Sequence, residues 1–121
     1  MKWIELTNET QLNDLMKRSA NTPQMIFKYS SWCGISDRIK DRLEAYPSPS
    51  GIEFYFLDII AHRGLSNKIA ALLEIHHESP QVLLIRNAEC VYDESHNSIR
   101  MEEILQRAGV NQLEMGIRGL Q

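Results

Sequence analysis

The stretch Ser30–Ser36, SSWCGIS, is where the chain changes its periodicity. Upstream, QMIFKYS (Gln24–Ser30) is mostly apolar, the pattern of a strand buried on both faces. Downstream, Ile35, Ile39, Leu43 and Tyr46 recur at helical spacing until PSPSG (Pro47–Gly51) stops the run. Cys33 therefore stands at a strand-to-helix junction. A dithiol redox site would carry a second cysteine at position 36, but serine stands there. The question is whether one sulfur suffices.

Working outward, WIEL (Trp3–Leu6) reads as a short strand. Thr7 is placed to cap a helix with Leu12, Leu15 and Met16 on its inner side. After PSPSG, IEFYFLDI (Ile52–Ile59) is a further strand. A helix is expected from about Ser66, with Ile69, Ala70, Leu72 and Leu73 buried. QVLLI (Gln81–Ile85) and CVYD (Cys90–Asp93), joined by RNAE, form a hairpin. Ser98 is placed to cap a last helix with Ile99, Ile104, Leu105 and Ala108, ended by Gly109. The order β-α-β-α-β-α-β-β-α predicts an α/β domain, a central mixed sheet flanked by helices on both faces. One domain over residues 1–110 is expected, with 111–121 a loosely ordered tail. Chemistry in such sheets sits at the carboxyl ends of parallel strands, where Cys33 lies.

Composition narrows the function. The 121 residues are 43% hydrophobic and 24% charged, with net charge −3, which gives no support for nucleic-acid binding. Met1–Thr10 carries no signal-type apolar stretch, and no run approaches the ~20 apolar residues of a membrane span. A cytoplasmic location without membrane contact is expected, and with it reduced thiols. Two cysteines and four scattered histidines do not make a zinc-finger pattern, and no metal is expected; adjacent His76 and His77 point apart. His77 is read as ordering the HESP loop (His77–Pro80).

A thiol attacks only as thiolate, and the positive end of a helix favours that form at Cys33. Ser36, one helical turn on, would turn its hydroxyl to the sulfur. Lys28, on the preceding strand, would add positive charge. The plain alternative is a small buried cysteine without chemistry. Trp32 and Gly34 flank the sulfur. Trp32 either presents a docking surface or merely packs. A single thiolate can attack a mixed disulfide and carry the small thiol away on itself. Cys90 is not expected to resolve it. With strand 81–85 antiparallel to strand 24–30, Cys90 falls five or six residues down the sheet, roughly 17–20 Å away at ~3.3 Å per residue. A disulfide needs Cα atoms within about 7 Å. The same topology brings Ser79 and Pro80 opposite Cys33, and returns Ser95, His96 and Asn97 to that end. ESHNS (Glu94–Ser98) with Lys28 is the expected seat for the acidic group of a small thiol. Asp58 is read as a loop residue.

The strand, WCGIS and the later SPQVLLI resemble the thioredoxin superfamily, whose cis-proline faces the cysteine; by that resemblance Ser79–Pro80 is cis. FKYSSWCGIS, HHESPQVLLI and ESHNSI resemble the monothiol bacilliredoxins, although that family more often has proline where Gly34 stands. The resemblance implies a thioredoxin-like fold. It also implies removal of bacillithiol from S-thiolated client proteins, with Cys33 as nucleophile. No bound cofactor is implied; bacillithiol, or glutathione, would act as co-substrate. CGIS also resembles the CGFS of monothiol glutaredoxins, which bind an iron–sulfur cluster with glutathione. The glycine-pair loop after the fourth strand is missing here. A thioredoxin-like binding module without catalysis is the remaining alternative.

Overall fold

The computed structural model describes residues Met1–Val110; the expectation for 111–121 lies outside the described residues. The elements are β1 (Trp3–Glu5), α1 (Glu9–Arg18), β2 (Gln24–Tyr29), α2 (Gly34–Glu44), β3 (Glu53–Asp58), α3 (Arg63–Leu73), β4 (Gln81–Arg86), β5 (Glu89–Ser95) and α4 (Met101–Ala108), with a 3-10 turn at His96–Ser98 before α4. The five strands lie in the order β1-β3-β2-β4-β5. β1, β3 and β2 are parallel, and β4 and β5 are antiparallel additions. The expected mixed sheet with helices on both faces is what forms.

Residue parity builds the two layers, because successive side chains on a strand point to opposite faces. Met25 and Phe27 of β2, Phe54 of β3 and Val82 and Leu84 of β4 meet Ile39 and Leu43 of α2 and Ile104 and Leu105 of α4. Ile26, Tyr55, Leu57, Leu83 and Ile85 meet Leu12 and Leu15 of α1 and Leu65 and Ile69 of α3. The central strands β2 and β4 are covered on both sides, hence their nearly unbroken apolar runs. No helix among the described residues is long and apolar enough to cross a membrane.

Several boundaries differ from expectation. Asn8, not Thr7, caps α1: its side chain accepts from Gln11 N–H at 2.9 Å, while Thr7 N–H donates to Gln11 Oε1 at 2.7 Å. α3 begins at Arg63, three residues before Ser66. Its buried side is Leu65, Ser66 and Ile69; Leu73 packs against the same layer, and Leu72 is half exposed. β5 runs on to Ser95. Ser98 does not cap α4, since Asn97 and Ile99 give their carbonyls to Arg42 of α2, which pins the chain as a 3-10 turn first. Gly109 ends α4 at φ +75, the left-handed conformation that suits glycine.

Candidate active site

The end of β2 is laced to the first turn of α2. Cys33 N–H donates to Ser30 O at 3.1 Å, and Ser36 N–H to Cys33 O at 2.9 Å. Trp32 N–H donates to Ser30 Oγ at 3.2 Å. Cys33 is the N-cap residue of α2, in extended conformation and half-buried. Its sulfur therefore sits where the unpaired N–H groups of a helix end gather. Trp32 beside it is 80% exposed, so it does not pack inward. A Cβ added at Gly34 would meet nothing within 4 Å, which leaves open space next to the sulfur.

Ser36 takes a different part from the expected one. It is fully buried, and its hydroxyl accepts the Ser30 N–H at 3.2 Å rather than bonding to the sulfur. It fixes the turn that presents Cys33. Two residues that the sequence did not single out, Tyr29 and Asp37, lie at the same junction. The Tyr29 phenol donates to Asp37 Oδ1 at 2.5 Å. That bond to the carboxylate, more than burial, pushes the phenol up to about 12. Asp37 stands four residues after Cys33, in the first turn of α2. Nothing in an eight-residue separation across a turn signals this pair.

The opposite wall comes from β4 and β5. Lys28 pairs with Gln81, and Gln81 with Ser95, so Pro80 falls just past the last pair, beside Tyr29. The Ser79–Pro80 bond is cis. Pro80 is buried, and its carbonyl accepts His96 N–H at 3.0 Å. Cys33, Ser79, Pro80, Ser95 and His96 thus gather at one end of the sheet. Ser79 Oγ is buried there with no hydrogen-bond partner among the described residues. His96, at φ +58, is exposed, with Nε2 at 3.5 Å from Glu78 Oε1; Glu78 Oε2 is as far from His76 Nε2. Arg38 and Arg42 of α2, also missed in the sequence, reach the 3-10 turn: Arg38 Nη1 donates to Asn97 Oδ1 at 3.4 Å. Helical spacing alone says only that both are off the buried side.

Lys28 does not join this site. It is 0% exposed and lies on the α1–α3 face of the sheet, opposite α2. Its Nζ donates to Ser66 O and meets His77 Nδ1, each at 3.2 Å. Even parity on β2 places it with Ile26, so it cannot touch a thiol held at Cys33. Burial lowers its ammonium to about 8. His77 Nδ1 also lies 3.3 Å from Ser66 Oγ, and burial ahead of the Lys28 charge lowers its imidazole. Cys90 pairs with Ile85, which pairs with Gln24, at the far end of β2 from Cys33. Both cysteines are free thiols. The Cys90 S–H donates to Tyr92 O, and burial pushes that thiol up. Asp58 Oδ1 accepts from Ile60 and Ala61 N–H in the loop after β3. No cluster of three metal-ligating side chains occurs among the described residues.

A cysteine at a strand-to-helix turn facing a cis-proline, on this sheet order, defines a thioredoxin-fold oxidoreductase. A protein described as a candidate oxidoreductase with a thioredoxin fold matches at TM-score 0.76 and 27% identity, over 86% of this chain and 91% of that one. Thioredoxin of Malassezia sympodialis matches at 0.72 and 14%, over 88% and 91%, and that of Schistosoma mansoni at 0.66 and 22%, over 89% and 99%. The chain belongs to the monothiol bacilliredoxin family: the family model, monothiol bacilliredoxin BrxC, matches residues 4–104. Its chemistry is thiol redox chemistry.

Proposed function

We propose that this protein strips a low-molecular-weight thiol, bacillithiol or a close analogue, from S-thiolated client proteins. The observation that carries the reading is the solitude of Cys33. Position 36 is a buried serine bonded to Ser30, and Cys90 lies at the other end of the sheet. No intramolecular disulfide can then end the reaction. The Cys33 thiolate attacks the small thiol's sulfur in client–S–S–R. A new S–S bond joins Cys33 to the small thiol, the S–S bond to the client breaks, and the client thiolate leaves to take a proton from water. A second small thiolate then attacks Cys33–S–S–R, restores the Cys33 thiolate and departs as R–S–S–R. Exposed Trp32 and the open space over Gly34 suit contact with a client; Ser79, with its unpartnered hydroxyl, and Pro80 suit the disulfide itself. His96 with Ser95, and Arg38 in place of Lys28, suit the acidic group of the thiol.

The test is a release assay on one model protein thiolated with bacillithiol or with glutathione. Faster release from the bacillithiol form, absent in Cys33→Ser, is the expected result. Equal release from both would remove bacillithiol as the specific co-substrate. No release from either would leave a binding module.

A further inference from the structure

Lys28 is a fully buried ammonium that the proposed reaction does not use. Its hydrogen-bond partners are Ser66 O on α3 and His77 Nδ1 in the loop between α3 and β4. Ser66 Oγ lies 3.3 Å from the same nitrogen. Among the described residues no carboxylate forms an ion pair with it. A buried charge without a counter-ion is costly and persists where surrounding groups fix it. An ammonium has only donors, so Nδ1 accepts from it and the His77 ring is neutral, with its proton on Nε2.

The neighbour of Lys28 across the sheet, Gln81, lies on the same face and holds the same loop. Gln81 is buried; its Nε2 donates to His76 O at 2.9 Å and its Oε1 accepts Glu78 N–H at 3.4 Å. Lys28 thus grips the loop through the His77 ring and Gln81 grips it through the backbone on either side. Two residues beyond Glu78 is Pro80, the wall facing Cys33.

We propose that Lys28 is a positioning residue: through His77 it clamps the His76–Ser79 loop so that Ser79 and Pro80 stand correctly against Cys33. This rests on the thiol-transfer reading for its kinetic consequence but not for the clamp. A displacement of Pro80 near 1 Å can cost a transfer reaction up to about a hundredfold. It would leave simple alkylation of Cys33 alone, since a small alkylating agent needs no opposite wall.

The experiment uses the full chain with Lys28→Met, of similar length, and with His77→Ala and His77→Asn. The Asn Oδ1 takes the place of Nδ1 and preserves an acceptor for Lys28. Two readouts are taken: hydrogen exchange of the 76–79 amides by mass spectrometry, and the rate of transfer from a thiolated model protein beside the rate of iodoacetamide alkylation. Lys28→Met and His77→Ala should speed exchange in 76–79 and slow transfer at least about tenfold, with alkylation changed less than about twofold. His77→Asn should stay close to wild type in both. Unchanged exchange in Lys28→Met and His77→Ala overturns the clamp, as does failure of His77→Asn to rescue. If Lys28→Met does not fold, the two His77 variants decide alone. If the wild type transfers nothing, the thiol-transfer reading falls, and exchange still decides whether the clamp exists.

Discussion

Two residues near the end of β2 have different tasks. Ser30, whose backbone N–H donates to Ser36 Oγ, shapes the turn that presents Cys33 at the N-cap of α2. Lys28, on the α1–α3 face of the sheet, meets His77 in the loop that leads to Pro80. Its burial has a consequence for stability. Burial holds its ammonium at about 8 in the fold against 10.5 when free. Below pH 8 both the folded and unfolded chains are protonated here, so folding bears the whole penalty. As pH rises through 8 the folded form sheds its proton first and the penalty fades, until none remains above about 10.5. The full span is on the order of 3 kcal/mol. Arg63, Glu78 and His76 are the other charged groups that act on His77. Chemical denaturation of wild type and Lys28→Met at pH 7 and pH 10 checks this. The difference in unfolding free energy should move in favour of wild type at the higher pH. No movement, or movement the other way, would mean that the amine is not desolvated as described.

At the level of elements, α2 is the one that turns a buried strand into a reactive surface. Its first residue is Gly34, where proline is well suited: a first-turn N–H has no intrahelical partner, and proline's fixed φ matches a helix. Cys33 before it already has φ −117 and ψ 111, the extended region that a residue preceding proline prefers. An added Cβ meets open space. Gly34→Pro should therefore fold normally and gain about 0.4–1 kcal/mol by restricting the unfolded chain, read as a higher denaturation midpoint with an unchanged slope. A loss of stability would show that the first turn of α2 is not as described. Element identity was legible because period speaks directly: β2 and β4 are apolar runs, and α2 carries Ile35, Ile39 and Leu43 four residues apart. Starts of helices were less legible. Thr7 and Asn8 are both good caps, and only the extended backbone at Asn8 selects it. Ser98 is a good cap by type, but Arg42 draws the carbonyls of Asn97 and Ile99, 55 and 57 positions later, into a tight turn. Local sequence carries no trace of that long-range bond.

At the scale of the molecule, one sheet separates two thiols. Register sets Cys33 beyond the Lys28–Gln81–Ser95 end and Cys90 at the Gln24–Ile85 end. That separation was readable in the sequence, since strand order and about 3.3 Å per residue suffice. The gathering of Ser79, Pro80, Ser95 and His96 at the Cys33 end was readable for the same reason. The facing of Lys28 was not. Strand parity assigns a lysine to a face only once the sheet is known to be covered on both sides, and a charged residue is ordinarily read as exposed. Arg38, Arg42, Tyr29 and Asp37 escaped because their partners are distant or lie across a turn.

The central claim is that Cys33 alone accepts the small thiol. Intact-mass spectrometry tests it most directly, with reduced wild type and Cys33→Ser each mixed in equal amount with a model protein carrying bacillithiol as a mixed disulfide. The account predicts that wild type gains the mass of one bacillithiol, mapped to Cys33, while the model protein loses it and Cys33→Ser gains nothing. An adduct on Cys90, a Cys33–Cys90 disulfide, or no adduct at all would contradict it.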